Sequence, residues 1–117
     1  MFPFQQLEVY KKAKTFHQNA CLLIDEKKLN RTVADQLRRA SFSIVLNIAE
    51  GSSRFTNSDR RNFFVISRGS VFECVAILDV LVDQKNLEEG EFLSFLQSTD
   101  ELSRILFAMI KNLSVQK

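Results

Sequence analysis

Five polar residues of one segment, Gln36, Arg39, Ser43, Asn47 and Glu50, recur at steps of three, four, four and three. On an α-helix that spacing lines an amide, a guanidinium, a hydroxyl, a second amide and a carboxylate along one stripe. Two chemistries fit. Buried amides and charges persist when they bond one another, so the stripe can be a structural seam that fixes helix register. Glu73 would then pair with Arg38 or Arg39 across the fold. Left open to solvent, the same stripe is a surface for a polar ligand or for RNA. Arg54, Arg60 and Arg61 lie in or beside a polar loop, from which long side chains reach phosphate. With Arg38 and Arg39 they are the candidate nucleic-acid contacts; Gln36, Ser43, Asn47, Glu50 and Glu73 are the candidate seam.

Other chemistries fail on count. His17 is the single histidine, which excludes a histidine-based triad or a histidine-rich metal site. No Glu-x-x-His pair occurs for a di-iron centre, and no phosphate-loop or dinucleotide fingerprint is present. The run GSSR has the composition of a phosphate-binding turn, but it follows a helix and reads as a helix end and loop. Asn47 and Glu50, one turn apart, are all that supports an enzyme. No catalytic residue, metal ligand or cofactor is therefore assigned, and the chain reads as a non-enzyme.

The elements that must position these residues are helices. In the stretch QLRRASFSIVLNIAEGSSR, Val33, Leu37, Ala40, Ile44 and Ile48 form one apolar stripe, and Phe42, Leu46 and Ala49 a second. A helix in a lone four-helix bundle needs one apolar face, so two faces predict cover on both sides. Leu7, Tyr10, Ala13, Phe16, Ala20, Leu23 and Ile24 place helix one at about residues 6 to 25. Thr32 is the expected cap of helix two, with Asp35 completing a weak capping box, and Gly51 its expected stop. Asn57 or Ser58 is the expected cap of helix three, roughly 59 to 84. Its faces are Phe63, Ser67, Ser70, Cys74, Ile77 and Leu81, and Phe72, Val75, Ala76 and Val80. Gly69 and Ser70 in mid-helix predict another helix in close approach. Helix four follows from about 88 to 114, with Phe92, Phe95, Leu96, Leu102, Ile105, Leu106, Met109, Ile110 and Leu113 inward. Four helices and three short loops make residues 1–117 a single all-α domain, an antiparallel up-down-up-down four-helix bundle.

Three Gly and one Pro in 117 residues argue against many short strands. Cys21 and Cys74 lack metal spacing; a disulfide is compatible with the count, but free thiols in a reducing cytoplasm are expected. The start MFPFQQLEVYKK has no basic region followed by an apolar run, so no signal peptide is expected. No stretch approaches the ~20 apolar residues of a membrane span. Charge is lopsided. Residues 1–72 hold twelve Lys/Arg against six acids, a net of +6; residues 73–117 hold four against eight, a net of −4. Such asymmetry makes a basic face for a polyanion, or lets one subunit's basic surface meet another's acidic one.

QLRRASFSIVLNIAEGSSR, followed by RRNFFVISRGSVFE and preceded by FQQLEVYKKA, resembles the family of proteins encoded by intervening sequences within bacterial 23S rRNA genes. Matching positions are Gln36, Arg38, Arg39, Ala40, Ser43, Ile44, Asn47, Ile48, Ala49, Glu50, Gly51, Arg54, Gly69, Ser70 and Glu73, so the resemblance spans essentially the whole chain. Val45 departs from it, since many members carry proline there; a straighter helix two is implied. The resemblance implies a small antiparallel bundle assembling into a homo-oligomeric ring, a pentamer. The second apolar faces of helices two and three place Phe42, Leu46 and Phe72 at the contact between copies. Architecture is also similar to the accessory proteins of diversity-generating retroelements, which bind nucleic acid and a reverse transcriptase. An rRNA association is implied by where the family's genes were first found. Two functions follow as expectations: a cytoplasmic oligomeric RNA-binding protein, or an assembly and adaptor module whose partner is another protein.

Overall fold

The computed structural model describes residues 1–115. A 3-10 turn at Pro3–Gln6 leads into α1 (Glu8–Lys27), α2 (Arg31–Ser52), α3 (Asn57–Asp83) and α4 (Glu89–Val115), with no strand among the described residues. The protein is all-α with four helices. α1 packs on α2 and α4, and α3 packs on α2 and α4 as well, so each helix meets two others around one core. Phe16, Leu37, Ile44, Ile48, Leu78, Leu102 and Leu106 fill its centre from all four helices. Each contributes about 1.5–3 kcal/mol by leaving water.

Helix boundaries depart from the sequence expectations by a few residues, for local reasons. α1 runs two residues later at each end, because Pro3 starts the preceding turn and Leu7 is extended. Asn30, not Thr32, caps α2: its side-chain oxygen accepts the Val33 N–H at 2.9 Å. Thr56, not Asn57 or Ser58, caps α3 by accepting the Asp59 N–H at 3.1 Å. α3 closes with a paired turn in which Lys85 N–H donates to Val82 O and Asn86 N–H to Leu81 O. The left-handed residue of that turn is Lys85, and Lys28 does the same for α1. Two lysines therefore occupy the position where glycine is the usual choice. Valine at position 45 leaves α2 uninterrupted, with Val45 buried.

Gly51 does not stop α2. It is helical and buried, and the helix runs on to Ser52. A Cβ on Gly51 would lie 2.7 Å from Phe64 Cε1 and 3.1 Å from Phe63 Cβ, so the missing side chain lets α3 approach. Gly69, where close approach was expected, is exposed with nothing within 4 Å of its Cβ position. The other small residues of this seam are bonded. Ser67 Oγ donates to Ile44 O at 2.9 Å, and Ser70 Oγ to Ser43 Oγ at 2.9 Å. The inward face of α3 is also rotated, with Phe64, Val71 and Leu78 buried while Phe63 and Ile77 are half-buried. The rotation follows from α3 packing between α2 and α4.

Gly51→Ala should therefore lower stability by about 1–3 kcal/mol through overpacking against Phe64. Gly69→Ala should raise the stability of a dilute sample by about 0.5–1 kcal/mol, because helix propensity acts there without a clash. Thermal melts of the two variants must move in opposite directions.

Candidate nucleic-acid interface

Arg54, Arg60 and Arg61 are brought together where α2 ends and α3 begins. The last turn of α2 is closed by Ser53, whose N–H and hydroxyl both donate to Glu50 O. The next residue, Arg54, reaches back with Nη2 to Glu50 Oε2 at 3.1 Å, while its guanidinium lies 4.4 Å over the Phe63 ring. Its Nε is buried without a hydrogen-bond partner among the described residues. Arg60 Nε donates to Arg54 O at 2.7 Å, tying the start of α3 to the loop. Arg61 Nε donates to Ser114 Oγ at 2.6 Å, tying the same turn to the end of α4. Between Arg54 and the Thr56 cap, Phe55 stands 98% exposed.

A groove of about 730 Å³ opens beside Arg60, under the N-terminal turn. Phe2, Phe4, Phe64, Met109 and Leu113 make its apolar wall, and Glu50, Arg60 and Asn112 its polar edge. The remaining arginines stand apart. Arg38 Nη1 pairs with Asp35 Oδ1 at 3.4 Å, and Arg39 is exposed. Both lie roughly 20 Å up α2 from the loop at 1.5 Å per residue.

Of the polar stripe, the middle is a bonded seam. Asn47 Nδ2 donates to Ser43 O at 2.8 Å and to Ser43 Oγ at 2.9 Å, and Ser43 Oγ accepts from Ser70 of α3. Gln36 and Arg39 are exposed above it, and Glu50 turns to Arg54. Glu73 is exposed and makes no ion pair with Arg38 or Arg39 among the described residues. Arg38 is engaged by Asp35 one turn away on its own helix. Asn47 and Glu50 thus spend their polar atoms on different partners.

His17 has a partner that sequence spacing could not show. Its Nδ1 lies 2.7 Å from Ser41 Oγ, and Ser41 Oγ lies 3.2 Å from Arg38 O. Both bonds form together when Nδ1 carries the proton and the serine hydroxyl donates to the carbonyl. The imidazole stacks on Phe42 with centroids 5.1 Å apart, and Cys21 Sγ lies 3.8 Å from Nε2. Burial first, and the Arg38 charge second, hold the His17 pKa below its usual 6.5. Both cysteines are free, and burial pushes the Cys74 thiol up to about 12. No cluster of three or more metal-ligating side chains occurs among the described residues. None of their helices is long and apolar enough to cross a membrane.

Comparison with known proteins relates the chain to a family and to solved structures. A family model described as 23S rRNA-intervening sequence protein matches residues 5–108. A crystal structure from Bacteroides thetaiotaomicron, described as a protein of unknown function from the S23 ribosomal protein family, superposes with a TM-score of 0.81. It is 22% identical, and the match covers 88% of this chain and 98% of that one, which shows a shared fold. No curated protein matches significantly.

Two outcomes are expected at His17 and the thiols. Because the folded-state pKa of His17 is depressed, the unfolded chain takes up the proton first as pH falls. Stability from this residue is intact above about pH 6.5 and declines below it. In urea unfolding at pH 7.5 and pH 5, His17→Gln should remove that part of the acid-side decline. In native protein at pH 8, a thiol reagent should label Cys21 and reach Cys74 only on unfolding.

Proposed function

The chain belongs to the 23S rRNA-intervening sequence protein family, and on that premise we propose that it is a non-enzymatic, homo-oligomeric RNA-binding protein of the cytoplasm. The observation that carries the reading is the convergence of Arg54, Arg60 and Arg61 at one end of the fold. Nucleic acid, rRNA by the family's name, meets the protein there through its phosphates, and Arg38 and Arg39 extend the basic surface along α2. Phosphate contacts position a polyanion without reading its bases.

The bundle is antiparallel, up-down-up-down. Cross-helix pairs support this topology: Lys12 meets Glu101 while Lys27 meets Glu91, and Ser43 meets Ser70 while Ile44 meets Ser67. As numbers rise on one helix they fall on its neighbour. Copies assemble into a ring, a pentamer, through Phe42 and Leu46 on α2 and Phe72 on α3, which are 46%, 45% and 57% exposed in the single chain. Exposed apolar side chains gathered into a patch mark such a contact.

The second reading, an assembly or adaptor module for another protein, draws on these same side chains. Salt separates the two. Under the first, RNA affinity falls steeply with ionic strength, with a log–log slope of about 0.7–0.9 per phosphate neutralised. Replacing Arg54, Arg60 and Arg61 by Ala should flatten that slope by about that amount for each phosphate no longer held. Filter binding of structured rRNA across a salt series, with sedimentation before and after nuclease, reads both quantities. Absence of binding at low salt, together with an oligomer that dissociates at high salt, would replace the first reading by the second.

A further inference from the structure

We propose that the α2–α3 loop takes an unpaired nucleotide of single-stranded RNA, its base stacked on Phe55 and the adjoining phosphates held by Arg60 and Arg61. The inference rests on the RNA-binding reading and names the form of nucleic acid this end accepts.

Phe55 is the most exposed of the large apolar side chains, at 98%, ahead even of the N-terminal methionine. Its backbone is tied on both sides. Arg54 N–H donates to Gly51 O just before it, and Thr56 caps α3 just after it. A fixed loop thus holds an aromatic ring in water, with no packing role inside the chain. An aromatic face accepts any unstacked base, because every base has a π-face, whereas the faces of duplex bases are already stacked.

Cations stand on the helix that follows. Arg60 and Arg61 each spend Nε within the chain, on Arg54 O and Ser114 Oγ. Their terminal amino groups make no hydrogen bond or ion pair among the described residues, so each guanidinium keeps a free, oriented edge for a phosphate. Arg54 is a positioning residue instead, since Glu50 and the Phe63 ring occupy its guanidinium and its carbonyl holds Arg60. With Glu50 paired, Asp59 is the remaining acid of the loop and first turn, and the two free arginines outweigh it. Positive charge beside a ring that any unstacked base can cover favours a single-stranded polyanion as the occupant of Phe55, and a contact with a second copy is an outcome of the test.

The chain has no tryptophan, so Phe55→Trp puts a single indole at the site. A short unstructured RNA strand should quench its fluorescence at low salt, and the blunt duplex of the same sequence should not. Phe55→Ala, which removes a side chain that packs on nothing, should weaken single-strand binding about tenfold. It should leave the salt slope and the sedimentation mass unchanged. Arg60→Ala with Arg61→Ala should flatten the slope for single strands by about 0.7 per arginine. Equal quenching by duplex, or wild-type affinity in Phe55→Ala, overturns the inference while leaving RNA binding in place. A lower oligomer mass in Phe55→Ala with unchanged affinity overturns it too, and assigns Phe55 to a subunit contact. Failure of the wild-type protein to bind either RNA removes the underlying reading, and this inference with it.

Discussion

The close approach of α3 to the second half of α2 is the constraint on which the rest of the molecule depends. Three side chains make it possible by being small. Gly51 leaves room for the Phe64 ring, Ser67 reaches the Ile44 carbonyl, and Ser70 bonds Ser43. Each of the two hydrogen bonds is worth about 1 kcal/mol net, but a buried serine left unpaired would cost about 1–3 kcal/mol. The seam is therefore specified by penalties as much as by gains. Sliding α3 along α2 would orphan Ser67 and drive Phe64 into the Gly51 backbone. Because Gly51 sits one turn from the loop, fixing this contact also fixes where Arg54 leaves α2 and where Arg60 enters α3.

That placement explains an imbalance in how the arginines are bonded. Arg60 spends Nε on the Arg54 carbonyl of the loop and Arg61 spends Nε on Ser114 of α4, and their terminal amino groups make no further hydrogen bond or ion pair among the described residues. Arg54 is engaged by Glu50 and the Phe63 ring, and its buried Nε is unpaired among the described residues. An unpaired donor costs about 1–3 kcal/mol, which the Glu50 contact and the Phe63 ring must offset. The arrangement makes one arginine structural so that two others are presented in a defined direction. Lysines in these places would not do the same, since one ammonium cannot both anchor through one nitrogen and offer a planar edge.

The helices and most of the core were legible because 3.6-residue periodicity is written into Val33, Leu37, Ala40, Ile44 and Ile48, and into Leu102 and Leu106. What misled the reading was punctuation. Glycine is the residue that usually ends a helix, yet α1 and α3 end on Lys28 and Lys85, and Gly51 serves packing. A sequence shows that a glycine is present, not whether its missing side chain frees the backbone or admits a neighbour. The choice of Asn30 over Thr32 was equally hidden, since either side chain can cap and only the path of the chain decides. His17 was unreadable for a different reason, because its serine lies 24 residues away on another helix. Arg60 and Arg61 were legible as charge, while their anchoring on Arg54 O and Ser114 belongs to the tertiary fold. Phe55 sat unremarked in a polar loop, and only its exposure sets it apart from ten other phenylalanines.

The exposed apolar side chains Phe42, Leu46 and Phe72 and the basic end occupy different parts of the molecule. Phe42 precedes Arg54 by twelve residues along α2, and Phe72 follows Arg60 by twelve along α3, roughly 18 Å in each case at helical rise. These rings are not bare, either. His17 stacks on Phe42, and the Arg68 guanidinium lies 4.9 Å from the Phe72 centroid and 5.3 Å from that of Phe107. A cation over an aromatic face at an exposed site contributes about 0.5–1 kcal/mol, enough to keep a ring tolerable in water and too little to hold it against a better partner. Copies meeting through those side chains would leave the arginine end uncovered, so subunit association and nucleic-acid binding need not compete for surface. A ring of copies would then repeat the basic end at regular intervals. A polyanion that bridged several ends would gain affinity from effective concentration alone, with no new contact in any one subunit.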